Sequence, residues 1–271
     1  PGKLFSYSTV DITGVEPARN SEIRPLQKLQ SGDPVDAAKT QAAELGLKSA
    51  LPQRGYVFSS VGASDIVIDH DSETGSYTIP VDTGPLARFG SIHVAGDRIF
   101  GPKHIGRIAR FEPGDTYDAD DIVDLRRAII ATGLVSEVEI KPVRGAVQTD
   151  GSVLADLDVR MAAAPMRTIS GSVGYDTGQG ARAEINWQHR NLIRPEGAVT
   201  FRGVAGTKEQ LVAAELRRSN FRQRDQVLTG RVAVQRQRLD AYDAETDSLG
   251  AGIERQTNII WQKKWTWWFG G

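Results

Sequence analysis

The chain has 271 residues, of which 39% are hydrophobic and 25% charged, with a formal charge of −1. This is an ordinary globular composition, long enough for two domains or one large one, and its near-neutral balance leaves no electrostatic footprint for nucleic acid. Cysteine is absent, which excludes disulfides and thiolate chemistry and disfavours most zinc sites; a cysteine-free chain also suits an oxidising periplasm. No run approaches the ~18 consecutive apolar residues of a transmembrane helix, but barrel strands alternate and leave only a weak hydropathy signal. Pro1-Gly2-Lys3 does not open a secretory signal, because no basic segment leads into a long apolar one. The expectation is a chain that starts at an internal cut.

The first half carries an approximate repeat. Gly32-Asp33 recurs as Gly114-Asp115, an offset of about 80 residues. After each pair come a helical stretch, a glycine (Gly55, Gly133), an apolar run (Tyr56-Val57-Phe58; Leu134-Val135) and an alternating closing strand (Ser76–Asp82; Val153–Met161). The unit reads strand, helix, helix, strand, strand: a small α+β layer pair. Pro25 conflicts with an unbroken first helix.

The second copy is clearer. Phe89 to Gly96 reads as a strand ending in a glycine turn, Pro102 to Arg110 as a short helix, and Phe111-Glu-Pro-Gly-Asp115 as its break. Asp118 can cap the next helix, with Asp121 near the positive end of its dipole. Ile122, Leu125 and Ile129 then fall on one face, and Gly133 suits the position after the helix. Val135–Val143 reads as a strand, and Gly145 to Gly151 as a turn into the last one.

Composition changes at Met161-Ala-Ala-Ala-Pro165. Beyond it only short alternating stretches remain, starting with Thr168–Tyr175, then Ala181–His189, Val199–Ala205 and the stretches around Val212, Leu228 and Leu249; Trp265–Phe269 begins a seventh. One side of each is apolar. The other carries Arg182, Glu184, Arg202, Glu215, Arg217, Arg231 and Glu254. A soluble sandwich and a membrane barrel both fit such patterning; a wet barrel lumen is the better host for the charges. Asp176–Gly180 and Gly206–Glu209 are tight turns. Arg190–Gly197 and Ser219–Gln226 lie at the other end and carry Arg190, Arg194, Arg218, Arg222 and Arg224, which either meet lipid phosphates or are ordinary solvated charges.

Sharper chemical readings do not gather support. His189 has no second ligand at metal spacing and reads as a hydrogen-bonding residue at a barrel rim. Asp118-Ala-Asp-Asp121 does not complete a cation loop. Ser170, Ser172 and Ser219 lack a nucleophile elbow, and no helix follows Gly171, Gly174, Gly178 and Gly180 to make a dinucleotide site. Trp261, Trp265, Trp267 and Trp268 read either as an interface girdle or as a frayed tail.

Taken in order, Arg88-Phe-Gly-Ser-Ile-His-Val-Ala-Gly96, Phe111-Glu-Pro-Gly-Asp-Thr-Tyr-Asp118 and Thr132-Gly-Leu-Val-Ser-Glu-Val138 resemble the last POTRA (polypeptide-transport-associated) domain of the TamA/BamA outer-membrane assembly superfamily. Ile169-Ser-Gly-Ser-Val-Gly-Tyr175 and Trp187-Gln-His-Arg-Asn-Leu192 resemble the opening strands of its barrel, most closely in the TamA-like branch. The resemblance implies POTRA-like domains at 1–84 and 85–164, then the first six to seven strands of a transmembrane β-barrel at 165–271. It implies a parent with a third POTRA domain upstream and a closed barrel of about sixteen strands.

It also implies a non-enzymatic factor without cofactor, catalytic residue or metal. Such a factor sits in the outer membrane of a Gram-negative bacterium with its POTRA domains in the periplasm. It helps insert or secrete autotransporters and other β-barrel clients, and its partners are those clients, a TamB-like inner-membrane-anchored protein and outer-membrane lipid. Strand addition offers a mechanism at two edges. One is the first barrel strand, with Thr168, Ile169, Ser170, Gly171, Ser172, Val173, Gly174 and Tyr175 as the gate, where two glycines weaken packing. The other is a POTRA edge at Val135, Glu137, Glu139 and Lys141. Ile185, Trp187, Phe201, Val232 and Val234 are expected to face lipid. A two-partner secretion pore, the POTRA–barrel tail of a secreted lipase and a soluble adaptor with a β-sandwich half are the alternatives.

Overall fold

The computed structural model describes residues 5–178, 180–239, 242–255 and 265–270. The first repeat runs β1 (Ser6–Thr13), α1 (Pro17–Ile23), α2 (Ala37–Gln53), β2 (Ser60–Val61), β3 (Asp65–Asp69) and β4 (Thr74–Asp82). Pro25 does not kink the first helix: α1 ends at Ile23 and a 3-10 turn, Arg24–Leu26, takes the proline near its start, where its missing N–H costs nothing. Asp36 caps α2, its carboxylate accepting from the N–H of Ala38 at 2.7 Å and of Lys39 at 3.2 Å. Thr40, Ala43, Leu47 and Leu51 form the buried stripe of α2, the spacing of one helical face. Ala43, Leu47 and Leu51 pack with Ile23 against Tyr7 of β1 and Tyr77, Ile79 and Val81 of β4, and Thr40 Oγ1 lies 2.8 Å from the Tyr7 hydroxyl.

The sheet order is β1-β4-β2, with β3 also on β4. The expected middle strand at Tyr56–Phe58 is displaced. Tyr56 instead enters the core, where burial and a hydrogen bond to Glu22 push its phenol pKa up. The strand itself is split into β2, paired with Val81–Asp82, and β3, paired with Thr74–Thr78. Pro80 lies between those partners and has no N–H for a ladder. Opposite it Gly62 comes so close that a Cβ there would stand 2.8 Å from the proline Cγ.

The second repeat runs β5 (Ala87–Gly96), α3 (Pro102–Ile108), α4 (Ala119–Ala131), β6 (Val135–Val147) and β7 (Val153–Ala163), with sheet order β5-β7-β6. In both repeats the last strand therefore lies between the first strand and the middle one. Asp118 caps α4 through the N–H of Asp120 at 2.8 Å. Ile122, Leu125 and Ile129 are buried, and Gly133 takes a φ of 67°, a conformation in which glycine avoids Cβ strain. β6 is longer than expected, passing through Gly145 to Val147. Gly145 is not a turn residue. A Cβ there would stand 2.6 Å from Asp156 Oδ2, and one at Gly90 would collide with Asp156 Oδ1. The two glycines make room for this carboxylate, which accepts from the N–H of Ser91 at 2.6 Å.

Seven antiparallel strands follow: β8 (Arg167–Asp176), β9 (Gly180–Ile193), β10 (Gly197–Gly206), β11 (Glu209–Arg218), β12 (Gln226–Leu239), β13 (Tyr242–Arg255) and β14 (Trp265–Gly270), each paired with its neighbour in sequence. The chain divides into two compact units. One comprises Pro1–His93, Phe111–Val123 and Lys141–Asp158; the other comprises Val94–Arg110, Asp124–Ile140 and Val159–Gly271, and so holds the whole meander with all of α3 and parts of β5, α4, β6 and β7.

Candidate functional site

The meander register puts Ile169, Ile185, Trp187, Phe201, Val212, Val232, Val234 and Leu249 on one face. Ile185, Phe201, Val232 and Val234 are exposed and Trp187 is half-buried, its ring 5.6 Å from that of Phe201. A continuous exposed apolar face of this kind marks an interaction surface. The opposite face is not uniformly polar. Val204, Leu211, Ala213 and Ala233 form a small buried cluster there, beside an ionic group in which Arg202 Nε lies 3.0 Å and Arg182 Nη2 2.9 Å from the Glu184 carboxylate.

The expected gate and edge residues stand on outer strands. Thr168 to Tyr175 belong to β8, which among the described residues pairs only with β9, and all of them are exposed. Val135, Glu137, Glu139 and Lys141 belong to β6, an outer strand of its sheet; Val135 is buried and the other three are exposed. On β14, Trp267 is exposed; Trp261 lies outside the described residues. Nδ1 of His189 accepts from the N–H of Asn191 at 3.2 Å, a local contact inside β9, where His189 pairs with Arg167 and Val199. Among the described residues no group of three or more His, Cys, Asp or Glu is placed to hold a metal.

A polar cluster that the sequence does not announce lies within the second compact unit, where two turns at one end of the meander meet α3 and the later part of α4. Glu196, between β9 and β10, is buried. Its Oε1 is 2.7 Å from Nε2 of buried His104 on α3, and both its oxygens accept from Nδ2 of Asn220, at 3.0 and 2.9 Å. The Glu196 N–H donates to Asn191 Oδ1 at 3.0 Å. In the β11–β12 turn, Arg224 donates to the Ile108 carbonyl at 2.7 Å and to Asp124 Oδ2 at 2.6 Å. Arg218 donates to the carbonyls of Pro195 and Arg194 at 3.2 and 3.3 Å, joining the two turns. His104, Glu196 and Asn220 attracted no attention in the sequence, since they are far apart and of unremarkable type. Arg224 stood out only as one of several turn arginines.

Residues 5–84 match the family model of POTRA, described as the surface antigen variable number repeat. The structure of BamA from Haemophilus ducreyi lacking POTRA domains 1–3 superposes with a TM-score of 0.71 at 18% identity, covering 92% of this chain and 47% of that one. CdiB from Acinetobacter baumannii matches at a TM-score of 0.47 and 10% identity over 100% of this chain and 53% of its own. POTRA domains 3–5 of BamA from Haemophilus influenzae match at 0.45 and 21%, over 58% of this chain and 61% of theirs. The chain spans about half the length of the first of these structures. Residues 5–84 are thus a POTRA repeat, and the α/β region followed by an antiparallel meander has the fold of the POTRA-to-barrel segment of BamA.

Proposed function

We propose that the chain is the POTRA-to-barrel segment of a TamA-like outer-membrane assembly factor, with POTRA domains at 1–84 and 85–164 and the opening barrel strands at 165–271. On this reading the meander lies in the outer membrane of a Gram-negative bacterium and the α/β repeats lie in the periplasm. The protein is non-enzymatic, and works with a TamB-like inner-membrane-anchored partner to insert or secrete autotransporters and other β-barrel clients. The exposed apolar face supports the membrane placement, since Ile185, Phe201, Val232 and Val234 would otherwise stand in water.

The observation that carries the mechanism is the position of β8. It is an outer strand with a neighbour on one side only among the described residues, and a Cβ at Gly174 would meet nothing within 4 Å. An unpaired edge recruits strands through its free N–H and C=O groups. A client strand adds there by main-chain hydrogen bonds, and β6 offers a second edge in the periplasm.

These 271 residues contain no cysteine, so in a full-length protein cleared of any cysteine elsewhere Ser172→Cys gives one reactive thiol on β8. With a stalled client carrying a cysteine in its last strand, the expected result is a disulfide to position 172 and none to a control Gln210→Cys on β11. Equal capture at both positions, or at neither, sinks strand addition at β8. Capture of one dedicated substrate at an Arg202→Cys on the charged face, with none at 172, would favour a secretion pore.

A further inference from the structure

Two turns and two helices in the second compact unit are joined by polar bonds. Glu196 in the first turn binds His104 of α3 and Asn220 of the second turn. Arg224 in the second turn binds the last carbonyl of α3, at Ile108, and Asp124 of α4, and Arg107 of α3 reaches the Asn220 carbonyl at 3.4 Å. Each turn also contains strained backbone. Of five non-glycine residues with positive φ among the described residues, four are here: Glu196 at 60°, Asn220 at 48°, Arg222 at 65° and Asp225 at 63°. Such conformations persist only where the surroundings hold them. Asn220 Oδ1 accepts from the N–H of Asp225 at 3.1 Å, fixing the loop around the same side chain that grips Glu196.

We infer that Glu196, Asn220 and Arg224 form a releasable polar latch that positions α3 and the later part of α4 against one end of the meander. Apolar burial holds surfaces together without direction, whereas hydrogen bonds have a preferred geometry and a modest net contribution to stability. Every bond named can be exchanged for one to water when the latch opens. Among the side-chain atoms of His104, Glu196, Asn220 and Arg224, Nδ1 of His104 is the buried one without a partner, a lone-pair nitrogen when the imidazole proton sits on Nε2 facing the carboxylate. Glu196, Asn220 and Arg224 are therefore positioning residues for α3 and the later part of α4, whichever clients the protein serves. α3 and Asp124–Ile140 belong to the same compact unit as the meander, as these bonds require.

The test uses the full-length protein with spin labels at Lys103→Cys on α3 and Gln210→Cys on β11, both exposed. The parent should give one narrow distance. Asn220→Gly keeps the backbone conformation open to the loop but removes the carboxamide. Combined with Arg224→Gln, it should broaden the distance distribution at least about twofold by adding a second population. An unchanged width in that folded variant overturns the latch. Should the variant fail to insert, hydrogen exchange on the unsubstituted protein decides. The amides of Ile105 and Ala109 should exchange together with those of Phe221 and Asp225, within about threefold. Exchange of the α3 amides more than about tenfold faster than the turn amides overturns the proposal.

Discussion

His104 Nε2 stands 2.7 Å from Glu196 Oε1 across 92 residues of sequence, with both side chains almost wholly withdrawn from water. The pair links a helix of the last α/β repeat to a turn of the meander, and each partner makes the other tolerable. Removing one alone leaves a buried polar group facing an apolar replacement.

A double-mutant cycle measures that dependence. His104→Leu alone should cost about 1–3 kcal/mol, the range for leaving a buried polar group short of a partner. Glu196→Gln keeps the shape and should cost less. The two together should cost less than their sum by about 1–3 kcal/mol, read from chemical denaturation followed by tryptophan fluorescence. Strict additivity would show that the contact carries no energy.

The glycines around Asp156 make a second case. Gly145→Ala or Gly90→Ala should destabilise by about 1–3 kcal/mol, the cost of overpacking. In an Asp156→Ala background the penalty should largely vanish, because the oxygens that the new methyl would strike are gone. Thermal unfolding of the three single and two double variants checks this, and a penalty that persists without Asp156 would place the strain elsewhere.

Tyr56 gives a pH dependence with a definite sign. Its folded pKa lies above the ordinary value of 10.0, chiefly through burial and next through its hydrogen bond to Glu22. The native state thus holds the phenolic proton more tightly than the unfolded state. The corresponding stability is complete below the unfolded pKa and is lost as pH rises through the folded one. Tyr56→Phe should cost about 1 kcal/mol near neutrality for the lost hydrogen bond and flatten the alkaline fall. An equally steep fall in the variant would assign it to other groups.

Neighbouring positions on β12 separate the two faces of the meander. Val234→Arg, on the apolar face, should reduce insertion into lipid by about 2–4 kcal/mol if it lies near the midplane. Gln235→Arg should be nearly neutral, since that side chain already donates to Glu209 at 3.2 Å on the charged face. Folding assays in bilayers check both, and similar penalties would undo the assignment of faces.

The repeats were legible because local chemistry marks them. Asp118 caps α4, Gly133 closes it, and the apolar stripes of α2, α4 and β7 follow their periods. The seven strands were legible for the same reason, as alternation survives without any knowledge of pairing. The misreadings share a cause. Gly145 looked like a turn because glycine is a turn signal, yet it is small to admit a side chain of the adjacent strand, Asp156 of β7. Tyr56-Val57-Phe58 looked like a strand because it is apolar, yet Pro80 in β4 sets where that strand can pair. The latch was invisible because its members are common polar residues brought together only by the fold; Glu196 between Pro195 and Gly197, and Asn220 before an aromatic, are the faint local marks. The expected strand edges were readable as strands, but their place at the rim of a sheet is a property of pairing.

The turns of an antiparallel meander alternate between its two ends, so only every second one can reach α3 and α4. This divides the hairpins into two classes for anyone exchanging parts between related proteins. A graft that cuts at Ala164 separates His104 from Glu196, and Ile108 and Asp124 from Arg224. A foreign α/β layer joined there inherits turns shaped for another helix. The exchangeable module is α3 and the later part of α4 together with residues 194–196 and 219–225, while the tight turn at Thr207-Lys208 at the opposite end can be replaced on its own terms.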